Sequence, residues 1–355
     1  MNFIYDLPER LLTVKSFFPV IQSSKFKQYL DDCLTNRKQL VVEQFQTICF
    51  KSYELEKTNE LTYHAAVHPQ NYYLNRYNDI LAYDQTRIVL KNTNDQNPVT
   101  FSELSTNLTG YINANFIRSI EVPPSDDTLL RANDHCEFIA TQGPLKQTIG
   151  DFWHMVYMYK CPFIVMLTGL QYNGQTICDL YWPEKLNVPE HYKSTGFEIS
   201  VTLLETNQSD CFIKRILNIS MSNNSNESHN VTQIHFTEWE NFSVPTITDM
   251  DKLVKEYEQN YQSLVYHQPT TASIGPTVVH CSAGVGRTGT FITALIVRKH
   301  LRSGCHWISL PSIVLMLRLW RYCMVELTEQ YLFLHEYFAY ILSQERYCQS
   351  KIQTN

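Results

Sequence analysis

One segment constrains this chain more than any other: PTVVHCSAGVGRTGTFITALIVRKH, residues 276–300. A short β-branched run ends at His280, a glycine-rich loop follows, and a stretch with helical apolar spacing begins near Arg287. The loop carries Cys281, Ser282, Ala283, Gly284, Val285, Gly286 and Arg287. In so short a loop, successive backbone N–H groups can converge on one point, and a helix N-terminus adds partial positive charge there. Such a nest fits a tetrahedral dianion, and it favours the thiolate of Cys281 by drawing its pKa below the free value of roughly 8.5. Arg287 offers a planar fork able to hold two phosphate oxygens, which a lysine cannot match. Together these groups suit attack on phosphorus through a phosphocysteine intermediate.

Two other readings compete for the same residues. Gly284 to Gly289 spells GxGxxG between a strand and a helix, the pattern of a dinucleotide-binding turn. That turn also wants an acidic residue about 20 positions later to hold a ribose. No Asp or Glu occurs between Cys281 and Glu326. A buried structural cysteine ahead of an ordinary helix is the second alternative, and it leaves the adjacent glycines and Arg287 unexplained.

Composition limits the remaining options. At 355 residues with 44% hydrophobic and 18% charged side chains, the chain can bury a large core. The 29 Lys and Arg against 35 Asp and Glu leave a net charge of -6, which argues against general nucleic-acid binding. Asp6, Glu9 and Arg10 interrupt the stretch where a signal peptide needs apolar residues, and no apolar run is long enough to span a membrane. The ten cysteines form no CxxC pair and mostly adjoin apolar residues, as in Ile48-Cys49-Phe50, which reads as reduced core packing in a cytoplasmic compartment. N-x-S/T triplets at Asn107, Asn218, Asn230 and Asn241 read as chance in an Asn-rich chain.

Along the chain, Phe26, Tyr29, Leu30 and Cys33, then 40–48, predict helices in the first fifty residues. Residues 138–141, 162–167 and 276–280 predict buried strands, and 148–159 and 288–302 predict helices. The polar stretch 220–230 between two apolar runs predicts a hairpin tip or loop. A mixed α/β domain over most of the chain follows.

HCSAGVGRTG, His280 to Gly289, resembles the signature of the tyrosine-specific protein tyrosine phosphatases. Further blocks resemble that family in the same order: NRYNDILAYDQTRIVL (75–90), GYINANFI (110–117), FIATQGPLKQTIGDFWHMVY (138–157), IVMLTGLQYNGQTICDLYWP (164–183), VTQIHFTEWENFSVP (231–245) and MVELTEQYLFLH (324–335). The resemblance implies one phosphatase domain, residues 22–345, with a highly twisted mixed sheet flanked by helices. An extension would precede it at 1–21 and a tail would follow at 346–355. It also implies Cys281 as nucleophile, Arg287 as phosphate clamp, Thr288 as hydrogen-bond donor to the thiolate and His280 as support behind the loop. Ser282 to Gly286 would bind the phosphate, Tyr77 would wall a deep aryl slot, Asp79 would hold the substrate backbone, and Gln330 would lie near the pocket. No metal or organic cofactor is implied, and phosphotyrosine-containing proteins are the implied partners, with oligomeric state open.

Four departures stand out. Where the family's mobile loop carries a proton-donating Asp, this chain has Asn241, within Trp239-Glu240-Asn241. An amide has no proton to give, a loss on the order of 10²–10⁴-fold in rate. Glu238 and Glu240 stand nearby, but neighbouring loop residues usually point elsewhere. Glu326 replaces the glutamine that positions the hydrolytic water. Tyr172 and Ile177 replace the glutamate and lysine of a loop that orients the signature arginine, and Cys323 replaces a glycine at the pocket entrance. The expectation is a phosphotyrosine phosphatase with impaired turnover; the alternatives are a phosphotyrosine-binding pseudophosphatase and a scaffold without phosphate affinity. The degenerate acid loop and Asn-rich sequence are similar to the phosphatase-like proteins of polydnaviruses, which implies a suppressor of immune-cell signalling in a host cytoplasm.

Overall fold

Runs of Val, Ile and Phe without polar alternation belong to strands covered on both faces, and three of them lie side by side at the centre of this molecule. The computed structural model describes residues 13–14, 17–18, 20–90, 108–121, 130–194, 196–221, 224–267, 274–303 and 307–352, with the backbone alone at 13–14, 130–135, 224–226 and 345–352. In chain order the strands are β1 (Thr13–Val14), β2 (Ile21–Gln22), β3 (Arg87–Val89), β4 (Tyr111–Glu121), β5 (Leu130–Thr141), β6 (Phe163–Met166) and β7 (Gln171–Tyr172). Then come β8 (Gln175–Thr176), β9 (Pro189–Ser194), β10 (Phe197–Gln208), β11 (Phe212–Met221), β12 (Asn224–Phe236), β13 (Thr277–His280) and β14 (Trp307–Ile308).

The main sheet runs β3-β4-β5-β13-β6-β12-β11-β10-β9, with β1 against the start of β5. Its middle is parallel: β13 pairs β5 and β6, and β6 pairs β12. Both flanks are antiparallel. This is the α/β mixed sheet flanked by helices that the sequence predicts. The parallel strands end together at Thr141, Met166 and His280, and a crevice at the carboxyl ends of such strands is where α/β folds place ligands.

The helices follow the predicted spacing. Ser23–Asn36 buries Phe26, Leu30 and Cys33, and Lys38–Thr58 buries Val41, Phe45 and Ile48. Both pack on the helix Thr328–Ile352, with Phe26 against Phe338 at 6.2 Å and Phe45 stacked on Tyr331 at 5.4 Å. The helix Gly286–Arg302 is buried all round through Arg298, as a helix at the centre of a core must be. It starts directly after the loop that ends β13.

The polar stretch 220–230 forms the end of a hairpin, one of the two sequence-based alternatives: the β11–β12 ladder continues through Ser220 opposite Ser228, and Asn218 donates to Asn230 at 2.9 Å. Cross-strand polar pairs carry the pairing where apolar ones run out. Most of 1–21 lies outside the described residues, yet Thr13–Val14 joins the sheet and Ile21 starts β2, while the last helix continues to Ile352. Among the described residues, eight cysteines are free thiols; Cys305 and the Cys348 side chain lie outside them. No helix among the described residues is long and apolar enough to cross a membrane.

Candidate active site

The loop from Cys281 to Val285 is held by its carbonyls. The Cys281 carbonyl accepts from His280 Nδ1 at 3.0 Å, and that of Ser282 accepts from Gly143 N at 2.8 Å. Arg321 donates to Ala283 O at 2.9 Å and Gly284 O at 2.8 Å. Val285 O takes the amides of Gly289 and Val325 at 2.7 and 3.3 Å. Five consecutive carbonyls therefore face outward. A trans peptide sets its N–H opposite its C=O, so the amides of Ser282 to Gly286 face the other way, into the loop. Gly284 N donates to Cys281 Sγ at 3.2 Å. Among the described residues, the other four amides have no acceptor. Buried amides without partners are costly, and an anion in the loop supplies what they lack.

Glycine is required at one point of this turn. Gly284 has φ +74°, and a Cβ there would sit 2.0 Å from Thr141 O, the end of β5. A left-handed backbone pressed on a strand end leaves no room for a side chain.

Arg287 is buried one turn into the site. Its Nη1 donates to Leu167 O at 2.9 Å and Trp239 O at 3.2 Å. Two carbonyls thus do the orienting expected of a carboxylate, and Nε and Nη2 are left for a ligand. Burial lowers the Arg287 pKa, opposed by the charges of Cys281, Tyr77 and Glu326. Tyr172 is on the exposed β7–β8 hairpin, and Ile177 contributes its carbonyl by accepting from Ser282 Oγ at 2.7 Å. Ser282 Oγ also meets Tyr77 OH at 2.8 Å. Because the serine proton goes to Ile177 O, Tyr77 is the donor, which seats it on the loop.

Beneath the loop lies a group that the sequence reading missed. Arg321 is fully buried without a carboxylate partner, and burial draws its pKa down to about 10. It also donates to Asn115 Oδ1 at 2.7 Å and Asn113 Oδ1 at 2.8 Å. Asn113 in turn donates to Asn75 Oδ1 at 2.9 Å and Ile80 O at 2.8 Å. One network thus ties the phosphate loop to the NRYND segment. Arg76 fixes that segment from its other side, through Gly143 O, Pro144 O and Asp179. GYINANFI was legible as a motif; its purpose, two asparagine carbonyls on a buried guanidinium, was not.

His280 supports the loop as the resemblance implied. Burial lowers its pKa to about 4, so the ring is neutral. With Nδ1–H on Cys281 O, its Nε2 accepts from Tyr181 OH at 2.9 Å, and Tyr181 accepts from Gln233 Nε2 at 2.8 Å. This chain fixes the tautomer.

The remaining predicted residues are placed as follows. The Thr288 hydroxyl is buried with no hydrogen-bond partner, and Asp79 is exposed at the mouth. Gln330 is buried, but its Oε1 accepts the amides of Glu326 and Leu327 at 3.0 and 3.2 Å, which caps the helix from Thr328. Cys323 has φ +61°, a conformation that explains a glycine preference at that position. Asn241 is half-buried, and its Oδ1 is enclosed without a partner. Glu238 accepts from Thr237 Oγ1 at 3.1 Å and Glu240 is exposed. Phe242, exposed at 78%, meets Tyr172 edge-on at 6.2 Å. Glu326 reaches solvent at the rim, and its Oε2 is 2.9 Å from where a Cβ on Gly286 would stand. Partial burial and the charge of Asp79 raise its pKa, against Arg287 and Arg318.

Residues 71–340 match the protein-tyrosine phosphatase family. This chain belongs to that family. It is similar to the chicken (Gallus gallus) receptor-type tyrosine-protein phosphatase eta, 35% identical over 74% of this chain and 16% of that relative. It is also similar to the rat (Rattus norvegicus) tyrosine-protein phosphatase non-receptor type 20, 32% identical over 94% of this chain and 69% of that relative. The chain therefore spans about a sixth of the receptor-type relative's length. Among solved structures, one of PTPN18, described by its fingerprint on distinct HER2 tyrosine phosphorylation sites, superposes with a TM-score of 0.69 at 28% identity, over 89% of this chain and 99% of that one.

Proposed function

We propose that this chain hydrolyses phosphotyrosine in proteins through a phosphocysteine at Cys281, with turnover slowed because Asn241 stands where a proton donor is needed. The observation that carries the reading is the loop whose five carbonyls are bonded from outside, with Gly284 N donating to Cys281 Sγ and the Arg287 charge close enough to interact with that sulfur. In the first half-reaction Sγ attacks phosphorus, and the amides and Arg287 hold the equatorial oxygens as charge builds. Tyr77 walls a slot deep enough for an aryl phosphate, and Asp79 meets the peptide at its mouth. Water then cleaves the P–S bond. The domain runs from residue 22 to about 345.

A second reading has its own support in Asn241, whose amide gives no proton and whose Oδ1 has no partner. On that reading the site holds phosphotyrosine proteins and shields them without turning them over. A reducing cytoplasm suits a reactive thiolate. With the Asn-rich sequence and degenerate acid loop, we place the protein among viral suppressors of host immune-cell signalling.

A burst measurement with an aryl phosphate separates the two. With 2,4-dinitrophenyl phosphate, whose leaving group needs no proton, release of dinitrophenol equal to the protein concentration, followed by a slow steady rate, is expected; Cys281→Ser abolishes both. No burst, with saturable binding of a phosphotyrosyl peptide by calorimetry, leaves only the second reading. No binding at all removes both.

A further inference from the structure

An aryl oxide leaving group is basic, so a phosphotyrosine site needs a proton at the apical oxygen. Asn241 cannot give it. Glu238 is engaged by Thr237, and Glu240 faces solvent. Glu326 is exposed too, but it stands against the phosphate loop, beside Gln330. Its Oε2 stands over Gly286, the first residue of the helix that carries Arg287, at 2.9 Å from the position of a Cβ there. Its backbone amide is tethered by Gln330 Oε1 at 3.0 Å, which fixes where the side chain begins.

We propose that Glu326 is the general acid and base of this site, serving both half-reactions from one carboxyl group. This rests on the phosphocysteine reading above. As Sγ attacks, the P–O bond to the aryl group breaks with its electron pair on oxygen, and the Glu326 proton goes to that oxygen, releasing a phenol. In the second step the carboxylate takes a proton from water while the water oxygen bonds to phosphorus. The P–S electron pair returns to sulfur, and the protonated carboxyl is restored with inorganic phosphate. The apical position is the same in both steps, so one group can act twice. Carboxyl and amide have in effect traded elements relative to the family arrangement.

Partial burial raises the Glu326 pKa, and the charges around it divide. Asp79 faces it from the NRYND segment, and Cys323 lies beside it on the turn before its own helix; Arg287 and Arg318, from the two preceding helices, oppose the shift. The balance is a raised pKa, with partial burial as the leading cause.

The test is Glu326→Gln measured on phenyl phosphate and on 2,4-dinitrophenyl phosphate, whose leaving group needs no proton. The expected result is a loss of kcat of about 10²-fold on the first and little on the second, with the alkaline fall of the wild-type kcat profile removed. In an Asn241→Asp background, the same change is expected to be neutral or favourable, because the aspartate then supplies the proton. A Glu326→Gln variant as fast as wild type on both esters overturns the proposal. A wild-type chain with no Cys281-dependent burst instead overturns the reading beneath it.

Discussion

The loop from Cys281 to Val285 leads directly into the helix that carries Arg287, the segment from Glu238 to Ser243 accepts from the Arg287 guanidinium, and the two are built on opposite principles. In the first, each of five carbonyls is bonded from outside, by a neutral histidine, backbone amides and a buried arginine. The second touches Arg287 through the Trp239 carbonyl, pins its tryptophan by Nε1 to Ser243 O at 2.9 Å, and leaves Phe242 in solvent at φ +57°. The phosphate-holding half is over-determined and the proton-handling half is loosely tied. Binding of the dianion can therefore survive changes that alter turnover, because the two tasks draw on different contacts.

Substitutions can break that contrast, the most severe first. Cys281→Ser is expected to reduce hydrolysis by about 10⁴-fold or more while phosphotyrosyl peptide still binds, since only the nucleophile is lost; parallel kinetics and calorimetry read both. Arg321→Met leaves two asparagine carbonyls and two loop carbonyls without donors. A loss of about 3 kcal/mol in denaturant unfolding is expected, with phosphate affinity lost alongside. Unchanged stability there would show that the loop stands without its buried support.

On the loosely tied side, Asn241→Asp in a Glu326→Gln background is expected to raise kcat on a phosphotyrosyl peptide about 10²-fold with little change in stability. A kcat that does not move would mean the segment does not reach the leaving oxygen. The supporting shell also has a pH signature. His280, His235 and His335 have pKa values lowered by burial from 6.5 to about 4. The unfolded chain thus binds more protons between those values, so stability is complete above about pH 6.5 and falls as pH drops toward 4. Urea unfolding from pH 7 to pH 4 should show that loss, and His280→Asn should reduce its slope. Phe242→Ala is expected to have the smallest effect, under about 0.5 kcal/mol in stability. A larger loss would reveal that its contact with Tyr172 anchors the segment.

Much of this contrast was readable before any coordinates, and its limits have a physical cause. The Cys281 loop is local: nucleophile, amides and clamp lie within a few residues, so spacing alone places them together. The helices of the first fifty residues were legible from Phe26, Leu30, Val41 and Ile48, because 3.6-residue spacing survives in sequence. Arg321 was not legible. Its partners, Asn113, Asn115, Ala283 and Gly284, come from distant segments, and a lone arginine in LWRYCM reads as surface. Gln330 does both jobs: its Nε2 stands 2.9 Å from where a Cβ on Gly286 would be, against the phosphate loop, while its Oε1 caps its own helix. The hairpin at 220–230 was legible from the apolar runs on either side, but its polar composition left a loop equally open.

The pair of hydrogen bonds from Arg287 Nη1, to the carbonyls of Leu167 and Trp239, has a pharmacological consequence. The clamp and the flanking segment share one nitrogen, so a compound wedged under Trp239 need not occupy the phosphate seat to weaken it. Such a molecule would free the guanidinium to swing and would register as a fall in oxyanion affinity from a distance. A screen scored only by competition with vanadate at the cysteine would class it as a weak orthosteric ligand and overlook the lever it pulls.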